Sequence, residues 1–202
     1  MSVYYISLGC DCSVAYNMKQ LGLANESLPF DWIRCKIENI IHILKDDFAD
    51  FVNLDLIDVK PQNVNNFKSE VNGEVNGEVN SDASVTTSHY KLVHKKYKYI
   101  MPHEFVGDFI DYDIWHDKYL RRIERFRTIL KNSNIQKIFV HLDTIPDNSV
   151  KISMPSTSIN FELEKVIRIY SSGDVKFIKI IDLEVKENFT WQRDYLDWSK
   201  LL

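Results

Sequence analysis

The chain has 202 residues, of which 45% are hydrophobic and 12% aromatic, enough to enclose the core of one large domain. Its 29 acidic and 25 basic residues leave a formal charge of −4, which gives no general attraction to nucleic-acid phosphates or anionic membranes. We therefore expect a single domain over residues 1–202, with no nucleic acid and no membrane among its partners.

From the sequence we expect neither export nor membrane insertion. No apolar run reaches the roughly 18 residues of a spanning helix, and the first ten residues lack the pattern of a signal peptide. The three cysteines, Cys10, Cys12 and Cys35, are too few for a disulfide scaffold, so we expect thiols. Residue types with A/T-rich codons are abundant, which suggests a parasite, a low-GC bacterium or a large DNA virus. The predicted location is the cytoplasm, that of the host if the protein is viral.

The N-terminal residues predict a strand, a turn and a helix. Residues 3–8 are β-branched or aromatic and end at Gly9, which is typical of a buried strand. Asp11 is a plausible N-cap and Gly22 a stop signal for the helix between them. One face of this helix is apolar: Val14, Ala15, Met18 and Leu21.

A loop and a second helix are expected next. Pro29 lacks a backbone donor, so residues 28–32 predict a loop rich in large side chains. Asp31 lies between bulky apolar residues there, and its carboxylate is either bound to backbone donors or directed into a cleft. Residues 36–52 have apolar side chains spaced by three and four, which predicts an amphipathic helix.

The segment 61–89 differs from the rest in composition. It is polar and repeats a Val-Asn-Gly-Glu unit from Val71 onward. Each Asn-Gly favours a tight turn, but so polar a run cannot bury enough surface to order itself. We expect a mobile polar insertion at about 61–89, with a loose hairpin as the alternative.

The second half of the chain alternates strands and helices. The expected strands cover residues 90–101, 137–142 and 175–181, and the expected helices 113–132, 160–171 and 190–202. Alternation of this kind favours right-handed crossovers and parallel strands. The predicted fold class is therefore α/β, with a mainly parallel sheet flanked by helices.

Cys12 is the leading candidate for a catalytic residue. It follows the carboxyl end of the first predicted strand, where sites form in open parallel sheets. In the first turn of a helix, the dipole and the backbone donors favour thiolate over thiol, and the N–H groups of residues 11–13 could hold an oxyanion. The alternative is a small buried cysteine that fills a gap under the sheet.

A thiolate nucleophile usually needs a base, and the chain has six histidines. His103 is the first choice because Pro102 fixes the backbone before it at the end of a predicted strand. The alternative is a loop histidine that faces solvent or caps a helix. His141 is expected in the core, and Asp143 just past its strand is a better placed polar group.

Three side chains are candidates for substrate binding. Arg121 and Arg125 could bind a carboxylate or phosphate on the predicted helix 113–132, with Trp32 in the aromatic loop. The alternative is a solvated face paired with acidic neighbours. The cysteine spacing is wrong for zinc and no phosphate-binding Gly-rich loop is present, so we expect no metal and no cofactor.

Several motifs together resemble a known family. Residues 6–12, 21–23 and 29–32 are similar to the opening of a family of unknown function described as papain-like cysteine peptidases, and shorter matches follow. These are residues 102–105, 119–126, 138–140 and Trp191. The resemblance implies Cys12 as nucleophile, His103 as base, and Asp31 or Asp143 as an orienting group.

The resemblance and the element pattern imply different folds. A papain-like site has its cysteine on a helix and its histidine on an antiparallel sheet, whereas the pattern from Lys137 onward predicts parallel strands. The position of Cys12 is also similar to that of the nucleophile in SGNH-type esterases, but no histidine follows His141 to complete their catalytic pair.

The leading hypothesis is a cysteine-dependent hydrolase or acyl transferase that acts on a peptide or a small molecule. The alternative is a binding protein without catalysis, as a monomer or a homodimer, that keeps an enzyme-like fold. A transferase acting on a sugar or nucleotide is a third hypothesis, which only the parallel sheet supports.

Overall fold

A computed structural model describes residues 2–62, 89–106, 111–144, 156–182 and 192–202 of the chain. The predicted insertion at 61–89 lies almost entirely outside the described residues. Its first two positions end a strand and residue 89 begins the next one, so those three belong to the sheet that surrounds it.

The described residues form six strands and five α-helices. The strands are β1 (Ser2–Ser7), β2 (Ile57–Gln62), β3 (His89–His94), β4 (Ile100–Val106), β5 (Ile135–Thr144) and β6 (Val175–Asp182). The helices are α1 (Ser13–Gln20), α2 (Ile37–Lys45), α3 (Tyr112–Lys131), α4 (Ser156–Tyr170) and α5 (Trp198–Leu201), with a 3-10 turn at Leu54–Leu56.

A parallel sheet is formed in the order β1-β5-β6, with β5 at its centre. Ile6 pairs with Phe139 across the first interface, and Val140 pairs with Ile178 across the second. Because the strands are parallel, their carboxyl ends lie at one edge of the sheet. The α/β class and the parallel strands predicted from the alternating pattern are confirmed.

The antiparallel sheet β2-β3-β4 was not predicted as a sheet. The single strand expected over 90–101 is in fact two strands, with a turn between His94 and Ile100. Nδ1 of His94 accepts the backbone N–H groups of Lys96 (3.2 Å) and Tyr97 (3.0 Å), and its Nε2 donates to the Asp50 carbonyl (2.8 Å). This buried ring closes the turn, and hydrophobic periodicity carries no sign of it.

Two other elements are shorter than predicted. The helix expected over 36–52 ends at Lys45, because Asp47 and Phe48 take left-handed φ angles of 45° and 61°. The terminal helix expected over 190–202 is a single turn at Trp198–Leu201, and positions 190 and 191 lie outside the described residues.

The two faces of the parallel sheet bury different clusters. One face contributes Ile6, Leu8 and Phe139 to a large core with α2, α3, α4 and the antiparallel sheet. The other contributes Val140 and Leu142 to a smaller core beneath α1 and α5. None of the described helices combines the length and hydropathy that a membrane-spanning helix needs.

Candidate functional site

The turn at residues 9–12 connects the carboxyl end of β1 to the start of α1. The Leu8 N–H donates to the Val140 carbonyl (2.9 Å), after which Gly9 and Cys10 turn the chain with φ angles of 71° and 81°. A Cβ on Gly9 would lie 3.4 Å from the Ile40 side chain, which is close to ordinary contact, so it is the left-handed backbone that favours glycine here. Cys12 follows as the N-cap residue of α1, at the sheet edge where the sequence predicted a site.

Asp11 has a different role from the one predicted. The N-cap residue is Cys12, while Oδ1 of Asp11 accepts the backbone N–H (2.9 Å) and the hydroxyl (2.5 Å) of Ser13. The Ser13 N–H is therefore already bonded. The N–H groups of residues 11–13 were expected to hold an oxyanion, and for Ser13 this contact corrects that expectation.

Arg193 holds the other oxygen of Asp11. Its Nε and Nη2 donate to Oδ2 of Asp11 at 3.2 Å and 2.7 Å, and its Nη1 donates to the Tyr195 hydroxyl at 3.2 Å. Burial lowers the pKa of this guanidinium, but Asp11 and Tyr195 outweigh it and raise the pKa overall. Sequence reasoning missed Arg193 because 182 positions separate the partners and no local pattern marks the pair.

The three cysteines are thiols, and two of them are buried. Cys12 is 3% exposed and Cys35 is 4% exposed. Burial, followed by the charges of Glu38 and Cys10, raises the pKa of Cys35 to about 12. Cys35 lies near the turn that carries Cys12, because the side chain of Ile33, two residues earlier, would lie 3.7 Å from a Cβ on Gly9.

His103 lies in β4 of the antiparallel sheet, and its side chain is outside the described part of the structure. The start of β4 is close to the cysteine turn, because Ile100 exchanges backbone hydrogen bonds with Arg34 (2.7 and 2.9 Å), next to Cys35. His103 is three residues further, about 10 Å along an extended strand. β4 is also held to α3, since Glu104 accepts hydrogen bonds from Lys118 and Tyr119.

Asp143 belongs to β5, two residues after the buried His141, and its side chain is likewise outside the described part. Its backbone pairs with Ile181 near the carboxyl end of the parallel sheet. β1 ends at the same edge, with Ser7 opposite Val140. The topology thus brings Asp143 and Cys12 to one edge.

Asp31 is buried in the loop that packs against the cysteine turn. The Phe30 carbonyl would lie 3.6 Å from a Cβ on Gly9, and Oδ2 of Asp31 accepts the Leu28 N–H at 2.7 Å. Burial raises the pKa of Asp31 to about 7, against the lowering effects of the Leu28 hydrogen bond and of two α3 arginines. Of the two sequence hypotheses for this carboxylate, the bond to a backbone donor is the one observed.

Two predicted binding side chains meet at Ser27. Arg125 donates to the Ser27 carbonyl (2.7 Å) and pairs with Glu26 (3.1 Å), while the Trp32 indole N–H donates to the Ser27 hydroxyl (3.2 Å). Both are occupied by protein partners. Arg121, the third predicted binding residue, is exposed on α3.

Arg122 belongs to the same arginine helix but was not chosen as a binding residue, and it lies over the Tyr119 ring at 4.7 Å from its centroid. Within the described residues, neither its Nη1 nor the buried hydroxyl of Tyr4 has a hydrogen-bond partner. Burial raises the pKa of Tyr4, the charges of Glu26 and Asp31 raise it further, and that of Arg125 lowers it. We call Tyr4, Asp31, Arg122 and Arg125 the Asp31 cluster.

No metal centre accompanies these residues in the part of the chain that the structure describes. There, no three His, Cys, Asp or Glu side chains are grouped so that they could hold an ion.

Comparison with known proteins connects this geometry to a family. The family described as "Putative papain-like cysteine peptidase" matches residues 3–160. The chain belongs to this family. The matched stretch includes Cys12, Asp31 and His103 and ends before Arg193. The resemblance inferred from the N-terminal motifs is confirmed.

One relative of the chain is a viral protein. An uncharacterized protein of Acanthamoeba polyphaga mimivirus is 27% identical over 223 residues, which cover 98% of this chain and 96% of the viral protein. No solved structure matches the chain.

Proposed function

We propose that this member of the papain-like cysteine peptidase family is a cysteine-dependent hydrolase with Cys12 as its nucleophile. The observation that carries the proposal is the position of Cys12 as N-cap of α1, directly after a parallel strand and inside the stretch that the family matches. The positive end of the helix dipole favours the thiolate over the thiol at such a position.

His103 is the proposed base. A papain-like site has its cysteine on a helix and its histidine on an antiparallel sheet. His103 lies in β4 of the antiparallel sheet, and the first residue of this strand is bonded to Arg34, next to Cys35. In the proposed reaction, Cys12 attacks a carbonyl carbon of a peptide or a small molecule and its proton passes to His103. His103 then protonates the leaving group, and water hydrolyses the thioester. Asp143 is the proposed orienting group at the shared sheet edge, with Asp31 as the alternative.

The remaining predicted residues have supporting parts in this proposal. Arg121 is the exposed cation available to a substrate carboxylate. Arg125 and Trp32 frame the loop that packs on the cysteine turn, because both are bonded to Ser27. The oxyanion donors are N–H groups of the first turn of α1 other than that of Ser13.

The test is the release of p-nitrophenolate from p-nitrophenyl acetate. We expect a burst approaching one equivalent per chain as the acyl group accumulates on Cys12, and at least about a thousandfold lower acylation rate in Cys12→Ala. Cys10→Ser and Cys35→Ser are matched controls that should keep the burst. An equal burst in Cys12→Ala would reject the proposal.

A second candidate function is favoured by one observation, the 3% exposure of Cys12. A nucleophile must meet its substrate, whereas a small buried cysteine suits a protein that binds a partner without catalysis. In this reading the chain binds a second copy of itself or another partner through its arginine helix or aromatic loop. A Cys12 that small alkylating reagents do not modify in the native protein would favour it.

A further inference from the structure

The C-terminal residues close over the turn that carries Cys12. Arg193 is fixed at both ends, because its guanidinium binds Asp11 and its carbonyl accepts the Trp198 indole N–H at 3.0 Å. Asn17 of α1 reinforces the contact by donating to the Gln192 carbonyl at 2.8 Å. These contacts tie the segment to the first turns of α1.

The ion pair inside this contact is shielded from water. The Arg193 side chain is 5% exposed and that of Asp11 is 19% exposed. A charge pair so placed is screened little by solvent, so the loss of one partner leaves a strong local charge.

An unbalanced negative charge on Asp11 would act directly on Cys12. Asp11 precedes Cys12 in the chain, and its carboxylate is bonded to Ser13 in the first turn of α1. A carboxylate there competes with a thiolate for the positive helix end, and two negative charges in one turn disfavour each other. Arg193 supplies the opposite charge through two hydrogen bonds to the same carboxylate.

We propose that Arg193 is a positioning residue that keeps Cys12 reactive by cancelling the charge of Asp11 and holding its carboxylate against Ser13. This inference rests on the proposed function, since it concerns the same nucleophile. Arg193 lies beyond the stretch 3–160 that the family matches, so the family description does not include it.

An effect of the Arg193 charge and an effect of its structural contacts predict different changes in the reactivity of Cys12. If the charge matters, Arg193→Gln removes a positive charge beside Asp11 and disfavours the thiolate, whereas Asp11→Asn removes a negative charge beside Cys12 and favours it. If Arg193 only holds the segment in place, both substitutions loosen the same contact and change reactivity in the same direction.

The experiment measures the rate of Cys12 alkylation by iodoacetamide against pH, in a Cys10→Ser/Cys35→Ser background of the full chain. In Arg193→Gln we expect the pH midpoint of alkylation to rise by about one unit, so that the rate at pH 7 falls about tenfold. In Asp11→Asn we expect the midpoint to fall. Arg193→Lys keeps the charge and should have a midpoint close to that of the parent protein. The neutral pair Asp11→Asn/Arg193→Gln should bring the midpoint back towards the parent value.

Each outcome separates the inference from the function on which it rests. A reactive Cys12 whose midpoint moves the same way in both single variants, or in neither, would overturn the role of Arg193 and leave the nucleophile in place. A Cys12 that is inert in the parent protein would overturn the proposed function and this inference with it. Should Arg193→Gln fail to fold, Asp11→Asn and the neutral pair still decide the sign.

Discussion

Two carboxylates flank the candidate site, Asp11 half-buried and Asp31 buried, and their surroundings differ. Asp11 accepts hydrogen bonds from Ser13 and is paired with the buried Arg193. Asp31 accepts one backbone hydrogen bond, from Leu28, and the charges of Arg122 and Arg125 act on it through space. Burial dominates at Asp31 and raises its pKa to about 7.

The comparison contrasts a carboxylate that is bonded directly to a guanidinium with one on which two arginines act through their charges. A guanidinium bonded to Asp11 offsets the loss of hydration through two charge-assisted hydrogen bonds. At Asp31 the arginines lower the pKa less than burial raises it. Near neutral pH the Asp31 carboxyl is therefore partly protonated.

The largest expected effect concerns the pH dependence of stability at Asp31. Its pKa is about 7 in the folded chain against an ordinary value of 3.8, so the unfolded state releases its proton first as the pH rises. Wild-type stability should fall between about pH 4 and pH 7, by about 4 kcal/mol in total relative to Asp31→Asn. Urea unfolding at several pH values, compared between the two proteins, measures this difference.

Asp31→Asn is a suitable reference because its amide oxygen can still accept the Leu28 N–H while its side chain no longer ionises. Parallel curves of unfolding free energy against pH for the two proteins would show that Asp31 is ionised in the folded state like an exposed aspartate. The contrast between the two carboxylates would then be lost.

The ion pair at Asp11 is expected to give the next largest effect. Arg193→Gln should destabilise the protein by about 3 kcal/mol at pH 7, because it removes a buried guanidinium and leaves the half-buried Asp11 carboxylate without this partner. The matched control is Arg127→Gln at the exposed pair with Asp47, where we expect about 0.5 kcal/mol. Urea unfolding of both variants tests this, and similar losses would place the Asp11 pair among ordinary surface ion pairs.

Two tyrosine variants are expected to change the stability least. Tyr195→Phe removes an acceptor of Arg193 and should cost about 1 kcal/mol. Tyr4→Phe removes a hydroxyl that has no hydrogen-bond partner among the described residues, and should cost less than about 0.5 kcal/mol. Thermal unfolding of both variants measures the difference. A larger cost for Tyr4→Phe would reveal a bonded partner in the Asp31 cluster.

The fold was predictable where one element carries its own pattern. The helix expected over 113–132 matches α3 almost residue for residue, and the strands expected over 137–142 and 175–181 lie within β5 and β6. The antiparallel sheet was not predictable in the same way, because the turn after β3 is built on the His94 ring and on Asp50, a residue 44 positions away.

The candidate site was likewise predictable only where its residues are adjacent in the sequence. The place of Cys12 could be predicted because strand, glycine and helix are adjacent in the sequence. Arg193 could not, because its pairing with Asp11 depends on how the C-terminal segment returns to α1. For Asp31 a bond to a backbone donor was one of the two expectations and is observed at Leu28, but its raised pKa depends on packing that no local pattern encodes.

The pairing of Cys12 with His103 is the central claim, and alkylation by iodoacetamide tests it most directly. The rate is followed against pH in the Cys10→Ser/Cys35→Ser background, with and without His103→Ala. We expect a midpoint well below the ordinary thiol value of about 8.5, which shifts upward when His103 is removed. An ordinary or inaccessible thiol that His103→Ala leaves unchanged would contradict the claim and favour a binding protein.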